Sequence, residues 1–190
     1  MQTEPYLDDV LRQLHKLKEL ADNALAQVTA RDLFAVLDQE SNSIAIIMKH
    51  LAGNMRSRWT GFLTSDGEKP DRNRDAEFEV ADEDTKDSVL QRWEAGWRCV
   101  FDAITPLTPN DLSRTVFIRG EPHTVLEAID RQMTHYAYHV GQIVLLAKHY
   151  AGDTWKSLSI PRGKSKEFEV SKKGTVYDVS TRLPVQKNGK

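Results

Sequence analysis

The longest apolar-periodic stretch of the chain, Glu121 to about Tyr150, constrains the fold most tightly. Val125, Leu126, Ile129, Met133, Tyr136, Val140, Ile143, Val144 and Ala147 recur at three- and four-residue spacing. That spacing gathers side chains on one stripe of a helix and would scatter them over both faces of a strand. Glu121-Pro122 is read as the opening of this helix, because proline is tolerated in a first turn, and Gly152 as its end. A helix of this length with one apolar stripe needs other helices to cover it.

Three further stretches supply them. Leu7, Val10, Leu11, Leu14, Leu17, Ala21, Leu25 and Val28 mark a first amphipathic helix from about Glu4 to Val28. A capping-box pattern at Thr29-Ala30-Arg31-Asp32 then starts a short one through Leu33 and Phe34. A second long helix begins at Ile44, after the polar segment Asp38 to Ser43, and carries Ile47, Leu51, Met55 and Phe62 on one side. Its flank bears His50 with Ser43, Ile46, Asn54 and Ser57, a boundary position facing a neighbouring helix. A third long helix runs from about Asp84 to Ile104 on Leu90, Trp93, Trp97, Val100, Phe101 and Ile104, and Pro106 and Pro109 stop it.

Between the second and third long helices, Thr64 to Asp84 is polar and punctuated by Asp66-Gly67 and Pro70. It is a surface loop long enough to act as a lid or binding loop. Thr115 to Ile118 alternates as a brief extended segment before a turn at Arg119-Gly120. After Pro161 the chain carries eight basic residues against three acidic ones and few large apolar side chains, the composition of a loosely docked or disordered tail. Val170 to Val179 could form an edge hairpin around Lys173-Gly174. The domain division expected is 1–160 for the helices and 161–190 for the tail.

Composition narrows the function classes. The formal net charge is -2 over 190 residues, so no global field draws the protein to nucleic acid, and only the basic tail offers a weak alternative. Cys99 is the single cysteine, which excludes an intrachain disulfide and suits a reducing cytoplasmic compartment. Among Trp97, Val100 and Phe101 it reads as a small buried hydrophobe. No secretion signal or bilayer-spanning run is expected.

Chemistry concentrates in His135-Tyr136-Ala137-Tyr138-His139. Two histidines four apart on a helix leave the same face, about 40° apart and one turn along the axis, and can converge on one ion. His50 is the candidate third ligand. Three neutral imidazoles with an open coordination position suit a divalent metal that activates water or a thiol. The alternative is that His50 caps a helix contact and that His135 and His139 are satisfied by carbonyls or solvent.

The segment Ser41 to Asn54, with His50, and the downstream His135-Tyr136-Ala137-Tyr138-His139-Val140-Gly141-Gln142-Ile143 together resemble the DinB/YfiT-like superfamily. The resemblance covers roughly Tyr6 to Ala151. It implies an all-α, antiparallel four-helix bundle, with His50, His135 and His139 as ligands of a divalent metal such as zinc or nickel, and protomers that pair as homodimers. Its characterised members include low-molecular-weight-thiol S-transferases, in which the thiol sulfur would sit on the metal. Others are described as metal-dependent hydrolases, in which water would. The expectation is a metal-dependent enzyme acting on a small molecule, most concretely a thiol S-transferase of detoxification or stress response. The alternatives are a hydrolase of the same fold or a non-catalytic stress-associated interaction module. No carboxylate lies at one-turn spacing from the histidines, although Asp66, Asp75 or Glu77 could fold over from the loop; Arg56, Arg58, Arg72 and Arg74 could hold an anionic substrate.

Overall fold

The computed structural model describes residues 4–171 and 174–179. Within them lie five α-helices, α1 Glu4–Leu25, α2 Ala30–Phe34, α3 Ile44–Trp59, α4 Lys86–Ile104 and α5 Val125–Ala151, and four short strands, β1 Thr115–Ile118, β2 Glu121–Thr124, β3 Phe168–Val170 and β4 Val176–Asp178. The strands form two small antiparallel sheets, β1 with β2 and β3 with β4. The protein is therefore mostly helical without being strictly all-α.

Helix starts follow local chemistry. Thr29 and Asp32 cap α2 reciprocally, and Thr124 and Glu127 do the same for α5. The Ser43 side chain accepts from the Ile46 N–H at the start of α3, and Thr85 from the Ser88 N–H at the start of α4. Each such cap satisfies a backbone donor that the helix itself leaves free.

The expected opening of α5 at Glu121 is corrected by this capping. Glu121–Thr124 is β2, and the helix begins at Val125. Arg119 and Gly120 have φ of 58° and 75°, the pair of left-handed residues that closes a two-residue hairpin. Pro122 then pairs with Phe117. One residue beyond the pair flanking such a turn, the ladder has no hydrogen bond to lose, so proline is tolerated there.

α3 packs along α4 and also against α5, while α1 packs along α5. α3 is enclosed almost all round: besides Ile44, Met48, Leu51 and Met55 it buries Lys49, His50, Asn54, Ser57 and Arg58. The flank expected at a boundary is covered because the loop after α3 folds back over it. Ser57 Oγ donates to the Gly67 carbonyl and accepts from the Lys69 N–H, both at 2.9 Å. Lys49 Nζ reaches the fully buried Asp84 carboxylate and the Glu79 carbonyl, each at 2.5 Å. Asp66 accepts from the Arg119 and Gly120 N–H groups at 2.9 and 2.7 Å, which fixes the loop to the β1–β2 turn. The segment between α3 and α4 is thus a docked wall rather than a free lid.

Tyr136 sets the register of α5 against its neighbours. Its hydroxyl accepts from Trp59 Nε1 at 2.7 Å and donates to Asn54 Oδ1 at 3.4 Å, and its ring meets Trp97 edge-on with centroids 5.7 Å apart. Tyr136→Phe keeps the ring and leaves the buried Trp59 N–H without an acceptor, which costs about 1–3 kcal/mol. The expected result is a lower urea midpoint at unchanged m; an unchanged midpoint would show that water replaces the hydroxyl.

The chain divides into two compact units, Met1–Asp153 and Thr154–Lys190. The second contains the β3–β4 hairpin, in the region where the sequence allowed one. Of the tail's basic residues, Lys172, Lys173, Arg182, Lys187 and Lys190 lie outside the described residues. Among the described residues no helix is long and apolar enough to cross a membrane.

Candidate metal centre

α3 and α5 bring the three histidines together. His50, His135 and His139 each offer a ring nitrogen, and these atoms lie within 4.8 Å of one another. His50 Nε2 is 3.2 Å from His135 Nε2. A tetrahedral ion with bonds of about 2.0–2.1 Å holds its ligand nitrogens about 3.3 Å apart, so this pair already has the spacing of a coordination edge. The His135 and His139 rings have centroids 4.7 Å apart, and the His50 ring lies 5.3 and 5.1 Å from them.

Two of the rings are oriented from behind. His50 Nδ1 is 3.0 Å from Glu77 Oε2, and His139 Nδ1 is 2.7 Å from Gln142 Oε1. An Nδ1–H donating to each oxygen leaves the Nε2 lone pair for an ion, the arrangement that metal-binding histidines commonly take. His135 Nδ1 is buried and has no hydrogen-bond partner. The donor set fits a divalent cation of intermediate softness, and among the described residues no carboxylate completes it as a closed four-ligand site.

Glu77 sits on a short 3-10 helix, Asp75–Phe78, and is only 8 % exposed. Arg72 grips it with two hydrogen bonds, Nε to Oε1 at 2.8 Å and an Nη to Oε2 at 2.9 Å. Burial pushes the carboxyl pKa up, and the hydrogen bonds from Arg72 and His50 outweigh that and hold it below the ordinary range. The carboxylate fits because Gly53, one turn after His50, has no side chain: a Cβ there would overlap Glu77 Oε1. Of the three carboxylates that could have folded over, Asp66 is spent on the hairpin turn, Asp75 is exposed, and Glu77 reaches the histidines. It reaches the back of His50, so it positions a ring rather than serving as a base on the open side.

That open side is a cavity of about 190 Å³ bordered by His50 and His135. Asn54, Gln132 and five arginines complete its wall, with no carboxylate. Arg58, Arg72 and Arg74, singled out in the sequence, line it; Arg56 instead lines a second cavity of about 420 Å³ and pairs with Asp71 at 2.9 Å. Arg131 is legible in the sequence as a one-turn neighbour of His135, and Arg119, whose place depends on the hairpin turn, is not. Cys99 is half-buried rather than buried and lines that larger cavity. His15 is exposed and stacks on Phe101; His123 lies on β2, just before the Thr124 cap of α5.

Burial, then the charges of His139 and His50, lower the His135 pKa from 6.5 to about 3; burial also lowers that of His139. The folded, metal-free protein therefore keeps His135 neutral between those values while the unfolded chain takes up a proton. The unfolded state binds more protons across that window, so stability falls as pH falls below about 6.5. Glu77, with its pKa depressed, adds to the same trend through the carboxylate range. In EDTA, the urea midpoint should drop steadily from pH 7 to pH 5; a flat profile would mean the rings are hydrated and titrate normally.

Fold and cluster together define a mostly helical protein whose three converging histidines could hold a metal ion. The chain belongs to a family described as a protein of unknown function, DUF1572, whose model matches residues 1–164. No curated protein matches it.

Proposed function

We propose that this protein is a divalent-metal-dependent enzyme of the DinB/YfiT-like superfamily, with its four long helices forming the antiparallel bundle of that fold. His50, His135 and His139 would hold zinc or nickel, and the most concrete activity is transfer of a low-molecular-weight thiol to a small electrophile. One observation carries the reading: three ring nitrogens converge within 4.8 Å, beside a cavity that no carboxylate lines. When bound, a divalent cation would lower the pKa of a thiol or water so that it acts as a nucleophile near neutral pH.

The chain's own groups account for the rest. Glu77 and Gln142 hold two rings with their lone pairs forward, and the cavity arginines hold the small molecule against that face. The absence of a carboxylate among the cavity walls favours thiol transfer over hydrolysis, because an ionised thiol needs no separate base while attacking water benefits from one. The homodimer belongs to the same reading. Tyr138 and Leu145 are 63 and 66 % exposed and lie two turns apart on one face of α5, an apolar strip that a second copy would cover.

The test is to load the protein with zinc or nickel and screen it with several low-molecular-weight thiols against a small electrophile, following loss of free thiol. Thiol consumption that needs metal and vanishes in His50→Ala supports the reading. Metal-dependent ester or amide cleavage without thiol would replace it with the hydrolase. Inactivity with a strongly lowered melting temperature on chelation would assign the ion a structural role in an interaction module.

A further inference from the structure

The cavity in front of the histidines carries more positive charge than its neighbours neutralise. Arg58, Arg72, Arg74, Arg119 and Arg131 line it, and three carboxylates lie behind them, those of Glu68, Glu77 and Asp66. Glu68 is within 3.0, 3.1 and 3.5 Å of Arg58, Arg119 and Arg72, and Glu77 pairs with Arg72. Asp66, which accepts from the Arg119 N–H, also lies close enough to act on the charge of Arg58, so five guanidiniums against three carboxylates leave a formal charge of +2. Arg131 has no ion pair among the described residues, and Arg74 lies 5.4 Å over the Phe78 ring without one. A concave site with this imbalance concentrates anions.

A buried donor points the same way, with an acceptor beside it. Arg58 is 5 % exposed, and its Nε–H has no acceptor. Gln132 is 3 % exposed, and its Oε1 is likewise unpartnered. Buried polar atoms in a folded protein are normally paired. Both residues sit in the wall of the cavity: an anionic oxygen would accept from Arg58, while the Gln132 oxygen, itself an acceptor, calls for a donor such as a hydroxyl on the same ligand.

We propose that this cavity binds the phosphoryl group of a small phosphorylated molecule, beside the three histidines. A carboxylate has two oxygens in one plane, and a single guanidinium fork satisfies it. Here the guanidiniums come from four separate segments: α3, the loop after it, the β1–β2 turn and α5. Such a set suits a group with three terminal oxygens and two charges. The inference names the substrate class for the proposed enzyme and so rests on that reading, but the anion site itself does not require the metal.

The experiment is calorimetric titration of the full chain with inorganic phosphate and, in parallel, with succinate, each in EDTA and again with zinc loaded. Expected are phosphate binding in both states, at least tenfold tighter than succinate, and at least tenfold weakening in Arg74→Ala/Arg131→Ala. Both of those side chains are exposed, so the variant should fold, and circular dichroism checks that it does. Arg12→Ala, on α1 and not lining the cavity, should bind as the parent does. Phosphate binding seen only with zinc, equal binding of succinate, or an unaffected double arginine variant would each overturn the proposal. Failure of the metal reading is separately visible: the chain would take up no zinc while phosphate binding in EDTA persisted.

Discussion

Replacing His135 and His139 together by alanine should take the protein from near one bound ion per chain to none. The two rings are neighbours one turn apart on α5, with centroids 4.7 Å apart, and His50 alone remains on α3. One imidazole cannot compete with solvent for a divalent ion, and each lost ligand removes a large part of a binding energy that a full set makes strong. Elemental analysis of protein purified without a histidine tag or added metal reads this directly. His139 is only half-buried, and the Gln142 side chain it contacts can turn to water, so the variant should stay folded. Metal at parental levels in the variant would place the ion elsewhere and return the histidines to a purely structural role.

Glu77→Ala is the second change with a large expected effect, and it acts twice. His50 loses the acceptor that orients it, and the loss of such a partner typically weakens metal affinity 10–100-fold. Arg72, whose side chain is 3 % exposed, loses its two-point partner and keeps only Glu68 at 3.5 Å. A buried charge stripped of its partner costs about 3–5 kcal/mol. Competition with a chromophoric chelator measures the first effect, and urea unfolding of the metal-free protein measures the second. Glu77→Gln separates them, because the amide oxygen can still accept from His50 while the charge pairing with Arg72 is gone. Its metal affinity should lie closer to the parent than its stability does. If both variants bound metal as tightly as the parent, Glu77 would serve the loop and not the site.

The sequence makes the helical framework legible for a physical reason. Apolar periodicity over three or more turns, and capping residues at the starts, are local signals that survive without tertiary information; α1, α3 and α4 begin and end within a few residues of the positions they indicate. The start of α5 is displaced because Pro122 suits a helix's first turn as well as a non-hydrogen-bonded position in a hairpin. The capping box Thr124 with Glu127 was the stronger local signal, and it marks the true start. The histidine pair is legible because both members share one helix. The Glu77 and Arg72 support is not, since Glu77 is 27 residues from His50 and reaches it only after the loop has docked. The composition of that loop reads as solvated surface. Its hydrogen bonds to Ser57, Lys49 and the hairpin turn turn it into a wall of the site.

Gly53 ties the centre to the loop behind it through a single steric requirement. The carboxylate behind His50 occupies the volume that any side chain at position 53 would take. Gly53 and the Glu77 carboxylate are therefore one steric unit in this chain: a side chain at 53 would displace the acid, and with it the partner of Arg72. A side chain at 53 would thus release the His50 ring from behind while leaving all three histidines in place.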